Sequence, residues 1–176
     1  MIQIRKAAAE DLSTIERIYE DAHREEESGR TTTGWERGVY PVRKTAEDAL
    51  KREDLYVLED DKGVQGTAII NHIQVDVYEK GEWEVEAKDD ELLVIHTLVI
   101  SAQAKGKGYG PAFVEYYERM AREKGCRSLR LDTNARNKAA RKMYRKLGCR
   151  EIGIVPTVFN GIEGVDLVLI EKDLSQ

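Results

Sequence analysis

The chain has 176 residues, 41% of them hydrophobic and 35% charged. That composition fits one soluble domain over residues 1–176, with a core large enough to stand without disulfides or a structural metal. The formal net charge of −5 argues against a nucleic-acid binder, and no apolar run reaches signal-peptide or membrane-spanning length, so a cytoplasmic address with no membrane partner is expected.

In chain order, MIQIRKA alternates weakly and predicts a short first strand. Leu12, Ile15, Tyr19 and Ala22 then fall at helical spacing. EESGRTTTGWERGVYP is polar, contains Gly, ends in Pro and reads as a loop holding Trp35 and Tyr40. Thr45 with Asp48 three places on resembles a capping signature for a helix to about Glu53. LYVLED and VQGTAIINHI read as two strands around an Asp-Asp-Lys-Gly turn. From Val75 to Asp90 the chain is charged, carries Tyr78 and Trp83, and reads as a long surface loop or irregular hairpin. ELLVIHTLVIS is a buried strand. Pro111 suits the first turn of a helix that Gly125 ends. SLRLDT is a strand, Asn137 to Leu147 a helix, and CREIGIV and GVDLVLIEK are the last two strands. The order β-α-α-β-β-β-α-β-α-β-β predicts an α/β fold, a mixed sheet with helices on its faces. The strand–helix–strand from Glu91 to Thr133 predicts a parallel pair.

Lys105 to Gly110 reads KGKGYG, between the buried strand and the helix that Pro111 opens. Glycines let a backbone approach a ligand closely, and amides at a helix N-terminus suit phosphate. A tight turn with no ligand explains the same glycines equally well. A P-loop would need Lys-Ser or Lys-Thr to end the run, and a dinucleotide fingerprint would need its third glycine one place after Gly110.

Charge is unevenly spread. Residues 103–150 carry 14 Lys and Arg against 4 Asp and Glu, and the remainder carries 14 against 29. The basic part suits a polyanion and the acidic part a cation, although most of these charges are accounted for by solvated helix faces. Cys126 and Cys149 each follow a glycine that ends a helical pattern, so both are expected to be buried at strand starts. Neither they nor the three separated histidines have zinc spacing, and no metal is expected.

Residues 92–155 carry two ordered motifs. The strand ends in LVI and runs into the basic glycine loop. LRLDTNARNKAARKMYRKLGC then contains N-x-x-A-x-x-x-Y-x-x-x-G at Asn137, Ala140, Tyr144 and Gly148. This pair resembles the GNAT superfamily of acyl-CoA-dependent N-acyltransferases. Two departures stand out: Lys105 occupies the loop's usual Gln/Arg position, and Cys149 the place of the usual Phe.

The resemblance implies a central mixed sheet of about seven strands flanked by about four helices, with central parallel strands that splay. It implies acetyl-CoA as cosubstrate, held by Leu98, Val99 and Ile100 on the strand, by Lys105, Gly106, Lys107, Gly108, Tyr109 and Gly110 in the loop, and by Asn137 and Ala140. Tyr144 stands at the family's proton-donor position; a core tyrosine is the bland alternative. Family members often place a Glu on the central strand as base. Here His96 is that strand's only titratable interior residue, at the parity of Val94, Leu98 and Ile100. A structural histidine, Glu91, or a loop carboxylate acting through water are the alternatives. Trp35, Tyr40 and Trp83 are expected toward the acceptor, where aromatics and carboxylates can hold a cationic amine. The reading is an N-acetyltransferase acting by direct attack on a primary amine, a small molecule or an amino acid-like acceptor, in a monomer or homodimer. Its rivals are a non-catalytic acyl-CoA sensor and a protein N-acetyltransferase.

Overall fold

The computed structural model describes residues 1–175. The elements are β1 (Gln3–Lys6), α1 (Leu12–Glu27), α2 (Arg43–Arg52), β2 (Leu55–Asp60), β3 (Gly63–Asn71), β4 (Leu92–Ile100), α3 (Tyr109–Glu123), β5 (Ser128–Asn134), α4 (Lys138–Lys146), β6 (Arg150–Phe159) and β7 (Ile162–Asp173). Their order is the expected one. All seven strands join one sheet, in the order β1-β2-β3-β4-β5-β7-β6. The α3 crossover makes β4 and β5 parallel, and every other pair is antiparallel.

Helices cover both faces, which is why β4 is apolar on both sides. Phe113 and Tyr117 of α3 and Tyr144 of α4 pack on Leu93, Leu129, Leu131 and Ile170. Ile15, Ile18 and Tyr19 of α1 and Ala46 and Ala49 of α2 pack on Val57, Ile69 and Val99 of the opposite face. Cys126 and Cys149 are buried, free, and part of the first layer.

Three local expectations are corrected. Helix α2 starts at Arg43, not Thr45. The Thr45 hydroxyl reaches back to accept from the Val42 amide at 3.1 Å, and Asp48 pairs with Lys44 rather than joining a cap. The segment from Val75 to Asp90 is a long loop and not a hairpin, but it is anchored rather than superficial: it has turns at Asp76–Lys80 and Asp89–Glu91 and buries Val77, Tyr78 and Val85. Two buried charged residues of the sheet tie it down. Arg130 donates to Gln74 Oε1 and the Val85 carbonyl, and Glu171 accepts from the Glu84 amide. Finally, β6 and β7 are longer than the pattern indicated. Their turn, Asn160-Gly161, has φ of 52° and 81°, the positive pair that a two-residue hairpin needs. Pro156 lies within β6, which it can do because β6 is the sheet edge.

Two features of β4 create the functional geometry. Pairing with β5 stops after Leu92, Leu93 and Val94, so the strands part beyond Val94 and Arg130. The Tyr117 hydroxyl of α3 sits at that fork, 2.5 Å from the Leu93 carbonyl oxygen and 3.0 Å from that of Arg130. Further along, register shifts between Ile69↔His96 and Thr67↔Val99, so Thr97 and Leu98 together face Ala68. This is a bulge, and Thr97 has φ of 52°, a strained value for a β-branched residue costing on the order of 1–3 kcal/mol. A hydrogen bond between the Tyr40 and Thr97 hydroxyls helps hold it.

Candidate active site

A cavity of about 660 Å³ occupies the gap between β4 and β5 and runs from the glycine loop to the β6–β7 turn. At the loop end lie Lys105, Gly106, Gly108, Tyr109 and Gly110. Gly106 and Gly108 have φ of 81° and 79°, and a Cβ on either would meet nothing within 4 Å. Ala112 makes the first amide bond of α3, to the Gly108 carbonyl. The amides of Gly106, Gly108, Tyr109 and Gly110 find no acceptor among the described residues. Free donors at and just before the start of a 15-residue helix are an arrangement that suits an anion. Asp60 braces the loop from behind, accepting from the Tyr109 hydroxyl at 2.7 Å with Lys107 at 3.8 Å. Lys107 is therefore outside the cavity lining, while Lys105 is part of it.

The walls of the gap come from the two parted strands. Leu98, Val99 and Ile100 line it from β4; Asn137 and Ala140 line it from the start of α4. Asn137 Oδ1 also caps that helix by accepting from the Ala140 amide at 3.2 Å. Beyond the fork, the facing backbone edges of β4 and β5 lose their pairing to each other, leaving groups that an extended ligand arm can use.

Tyr144 is 7% exposed, and its hydroxyl finds no hydrogen-bond partner among the described residues. Burial first, then the nearby Asp132 charge, raises its pKa above the ordinary tyrosine range, so it stays a neutral donor. Asp132, on β5, also lines the cavity. Burial pushes its carboxyl up to about 6, against the opposing effect of a 2.6 Å hydrogen bond donated by Tyr78.

The structure brings His96 to the cavity, but not as its parity implied. The Thr97–Leu98 bulge reverses the alternation. Leu98 and Ile100 pack toward α3 with Leu93 and Ile95, whereas His96 continues the other face, that of Leu92 and Val94. His96 Nε2 donates to Asn71 Oδ1 at 2.9 Å; Asn71 Nδ2 is committed to Asp54 at 2.9 Å, which fixes the amide and hence the imidazole tautomer. Burial lowers the His96 pKa to about 4, so the ring is uncharged near neutrality. Glu91 lies far from this gap, at the start of β4, accepting from the Lys88 amide.

Of the three aromatics expected near the acceptor, two line the cavity. Trp35 and Tyr40 meet edge to face, 6.3 Å between centroids. Trp83 does not line it. It packs against Tyr78 at 5.2 Å, lies 4.4 Å beneath the Arg130 guanidinium and donates to the Tyr78 carbonyl. Tyr78 is close in the chain, but Arg130 on β5 is distant in sequence, which hid this structural role.

Sequence reasoning missed Asp132. The available signal was one acidic residue inside the otherwise strand-like SLRLDT, directly upstream of the second motif. It also missed Glu26, which accepts from the Thr31 and Thr33 hydroxyls and from the Thr33 and Gly34 amides, shaping the loop that carries Trp35. No three His, Cys, Asp or Glu side chains among the described residues are grouped to hold a metal ion. No helix among them is long and apolar enough to cross a membrane.

Comparison with known proteins meets this geometry. A GNAT acetyltransferase from Streptococcus agalactiae superposes with a TM-score of 0.81 at 23% identity, covering 99% of this chain and 96% of that one. The ribosomal-protein-S18-alanine N-acetyltransferase of Escherichia coli gives 0.68 at 18% identity, covering 100% and 96%. A Salmonella typhimurium protein solved with its cofactor acetyl-CoA gives 0.71 at 18%, covering 100% and 95%. At these identities the likeness is one of fold. No curated protein matches in sequence. The model of the Acetyltransferase (GNAT) family matches residues 14–149. With the forked β4–β5 pair and the glycine loop at the head of α3, this chain belongs to the GNAT acetyltransferase family.

Proposed function

We propose that this protein transfers the acetyl group of acetyl-CoA to a primary amine by direct attack. The observation that carries this reading is continuity. One cavity joins the unpaired amides of the glycine loop, the gap between β4 and β5, and the Tyr144–Asp132 pair. The loop amides and Lys105 would hold the pyrophosphate, and the pantetheine arm would pair with the free edge of β4. That arm leads the thioester toward Tyr144.

The amine nitrogen attacks the thioester carbonyl carbon. A C–N bond forms, the C–S bond breaks, and the products are an amide and the free coenzyme thiol. Asp132 takes the proton the amine gives up; a carboxyl near 6 is ionised at neutral pH and close enough to it to accept. Tyr144 gives a proton or a hydrogen bond to the departing thiolate. Water restores both groups. His96, neutral and tied to Asn71, is assigned a positioning role rather than that of the base. Buried Cys149 has its thiol pushed up to about 11, mainly by burial, which argues against an acyl-cysteine route.

The test has two steps. Acetyl-CoA should raise the melting temperature by mass action. An amine panel read by coenzyme thiol release should then give turnover. Binding without turnover on any amine would leave a non-catalytic acyl-CoA sensor instead.

A further inference from the structure

The acceptor end of the cavity has an unbalanced chemistry. Away from the glycine loop its lining combines Trp35, Tyr40, Val75, Phe159, Ile162 and Val165, an apolar set, with neutral polar side chains. Only three lining residues bear a full charge near neutrality. Lys105 belongs to the loop end, Glu25 is paired with Arg30, and Asp132 stands at the reaction centre. Among the described residues, no Lys or Arg other than Lys105 lines the cavity. His96, the imidazole in the lining, is uncharged there, and burial keeps the Tyr40 and Tyr144 hydroxyls neutral. Arg52 and Lys44 line a smaller cavity that shares His96 and Tyr40 as its wall, and each is committed to a carboxylate, Asp54 at 2.9 Å and Asp48 at 2.6 Å. Arg136, beside the Trp35 loop, is exposed and outside the lining.

This end is also covered. Residues 31–40 cross the sheet as a strap. Gly34 lies so close to Asn134 that a Cβ there would stand 2.4 Å from its Nδ2, and Thr32 donates to the Arg136 carbonyl at 3.0 Å. On the far side, Val39 meets the β6–β7 turn, where a Cβ on Gly161 would lie 3.4 Å from Val39 Cγ1.

From these observations we infer that the acceptor is a small primary monoamine with an apolar, preferably aromatic, body and no carboxylate. This inference rests on the acetyl-transfer reading and narrows it. One carboxylate can hold one ammonium. The apolar wall rewards a hydrocarbon or ring beside it, and aromatic pairs add to that burial. A substrate carboxylate at this end would be buried with no cation to meet it, and a second ammonium would have no second carboxylate. The strap leaves the amine's own body, not a continuing polypeptide, to fill the space. Amino acids, polyamines and protein N-termini are thereby disfavoured.

The test uses the wild-type protein with acetyl-CoA and matched acceptors, read by thiol release. 2-Phenylethylamine and L-phenylalanine differ only in the carboxylate. Butylamine and 1,4-diaminobutane differ in the second amine. An alanyl pentapeptide represents a protein N-terminus. The expected result is kcat/KM for 2-phenylethylamine above that for phenylalanine by at least about a hundredfold, butylamine above the diamine, and no turnover of the peptide. Phe159→Lys, at the half-buried hairpin tip, should move preference toward phenylalanine by placing a cation on the wall. Turnover with phenylalanine, the diamine or the peptide equal to or above that of the apolar monoamine overturns the acceptor class and leaves acetyl transfer standing. Thiol release with none of these amines overturns both, and the acetyl-CoA melting shift then reports whether coenzyme binding survives.

Discussion

Tyr78 Oη donates to Asp132 Oδ2 across 2.6 Å, joining the buried turn of the 72–91 segment to the carboxylate at the fork of β4 and β5. The bond favours the ionised carboxylate, and burial opposes it more strongly, leaving the pKa near 6. If Asp132 is the base, activity should rise with pH through about 6. Removing the Tyr78 hydroxyl should move that rise upward. Tyr78→Phe, assayed as kcat/KM against pH, is expected to shift the acid limb to higher pH, while His96→Ala leaves its midpoint in place. The opposite pattern would return the base to His96.

Asp132→Asn should separate catalysis from stability. Turnover should drop by about 10²–10⁴-fold. The folded-state pKa of Asp132 is raised above its unfolded value of 3.8, so its charged form opposes folding. The sign follows: the wild-type chain loses stability relative to the amide variant as pH climbs from about 4 to about 6, and the difference is constant above that. At pH 7.5 the variant should be more stable by up to about 3 kcal/mol, with no gain below pH 4. Denaturant titrations at the two pH values check this.

Tyr144→Phe keeps the ring that packs on the sheet and removes the hydroxyl facing the cavity. Affinity for acetyl-CoA should be nearly unchanged and turnover should fall about 10²–10⁴-fold. An acyl donor with a more acidic thiol should shrink the loss, since its thiolate departs with less help. Full activity with acetyl-CoA would leave Tyr144 as a packing residue.

Gly108 precedes the first residue of α3 with φ of 79° and open space where a Cβ would stand. Valine there is strained by conformation rather than by contact, and it fills open space at the head of α3. The apo protein should melt a few degrees lower, and most of the acetyl-CoA-induced rise should vanish. A variant that retains the full rise would reduce the loop to a turn.

Trp83→Ala removes a ring held between Tyr78 and the Arg130 guanidinium. Stability should fall by about 2–3 kcal/mol. Trp35→Ala, at the cavity wall, should instead raise the acceptor KM. A comparable KM effect from both variants would argue against the division between them.

Much was legible in the chain itself. Element order follows from hydrophobic period and from Gly and Pro punctuation, which are local properties. The glycine loop and the Asn137–Gly148 motif carried the family resemblance for the same reason: both are short patterns of neighbouring residues. What stayed hidden depends on contacts between distant segments. His96 stayed on the face of Val94 while Leu98 and Ile100 moved to the other, because the Thr97 bulge breaks alternation, and that bulge depends on register with β3 and on Tyr40. Asp132 is raised to about 6 only because the assembled core buries it, against the hydrogen bond from Tyr78, 54 positions away in the chain. Trp83 became structural because Arg130 lies over it. Sequence period sets which elements form; the dielectric and partners that a side chain meets are decided only when the sheet is assembled.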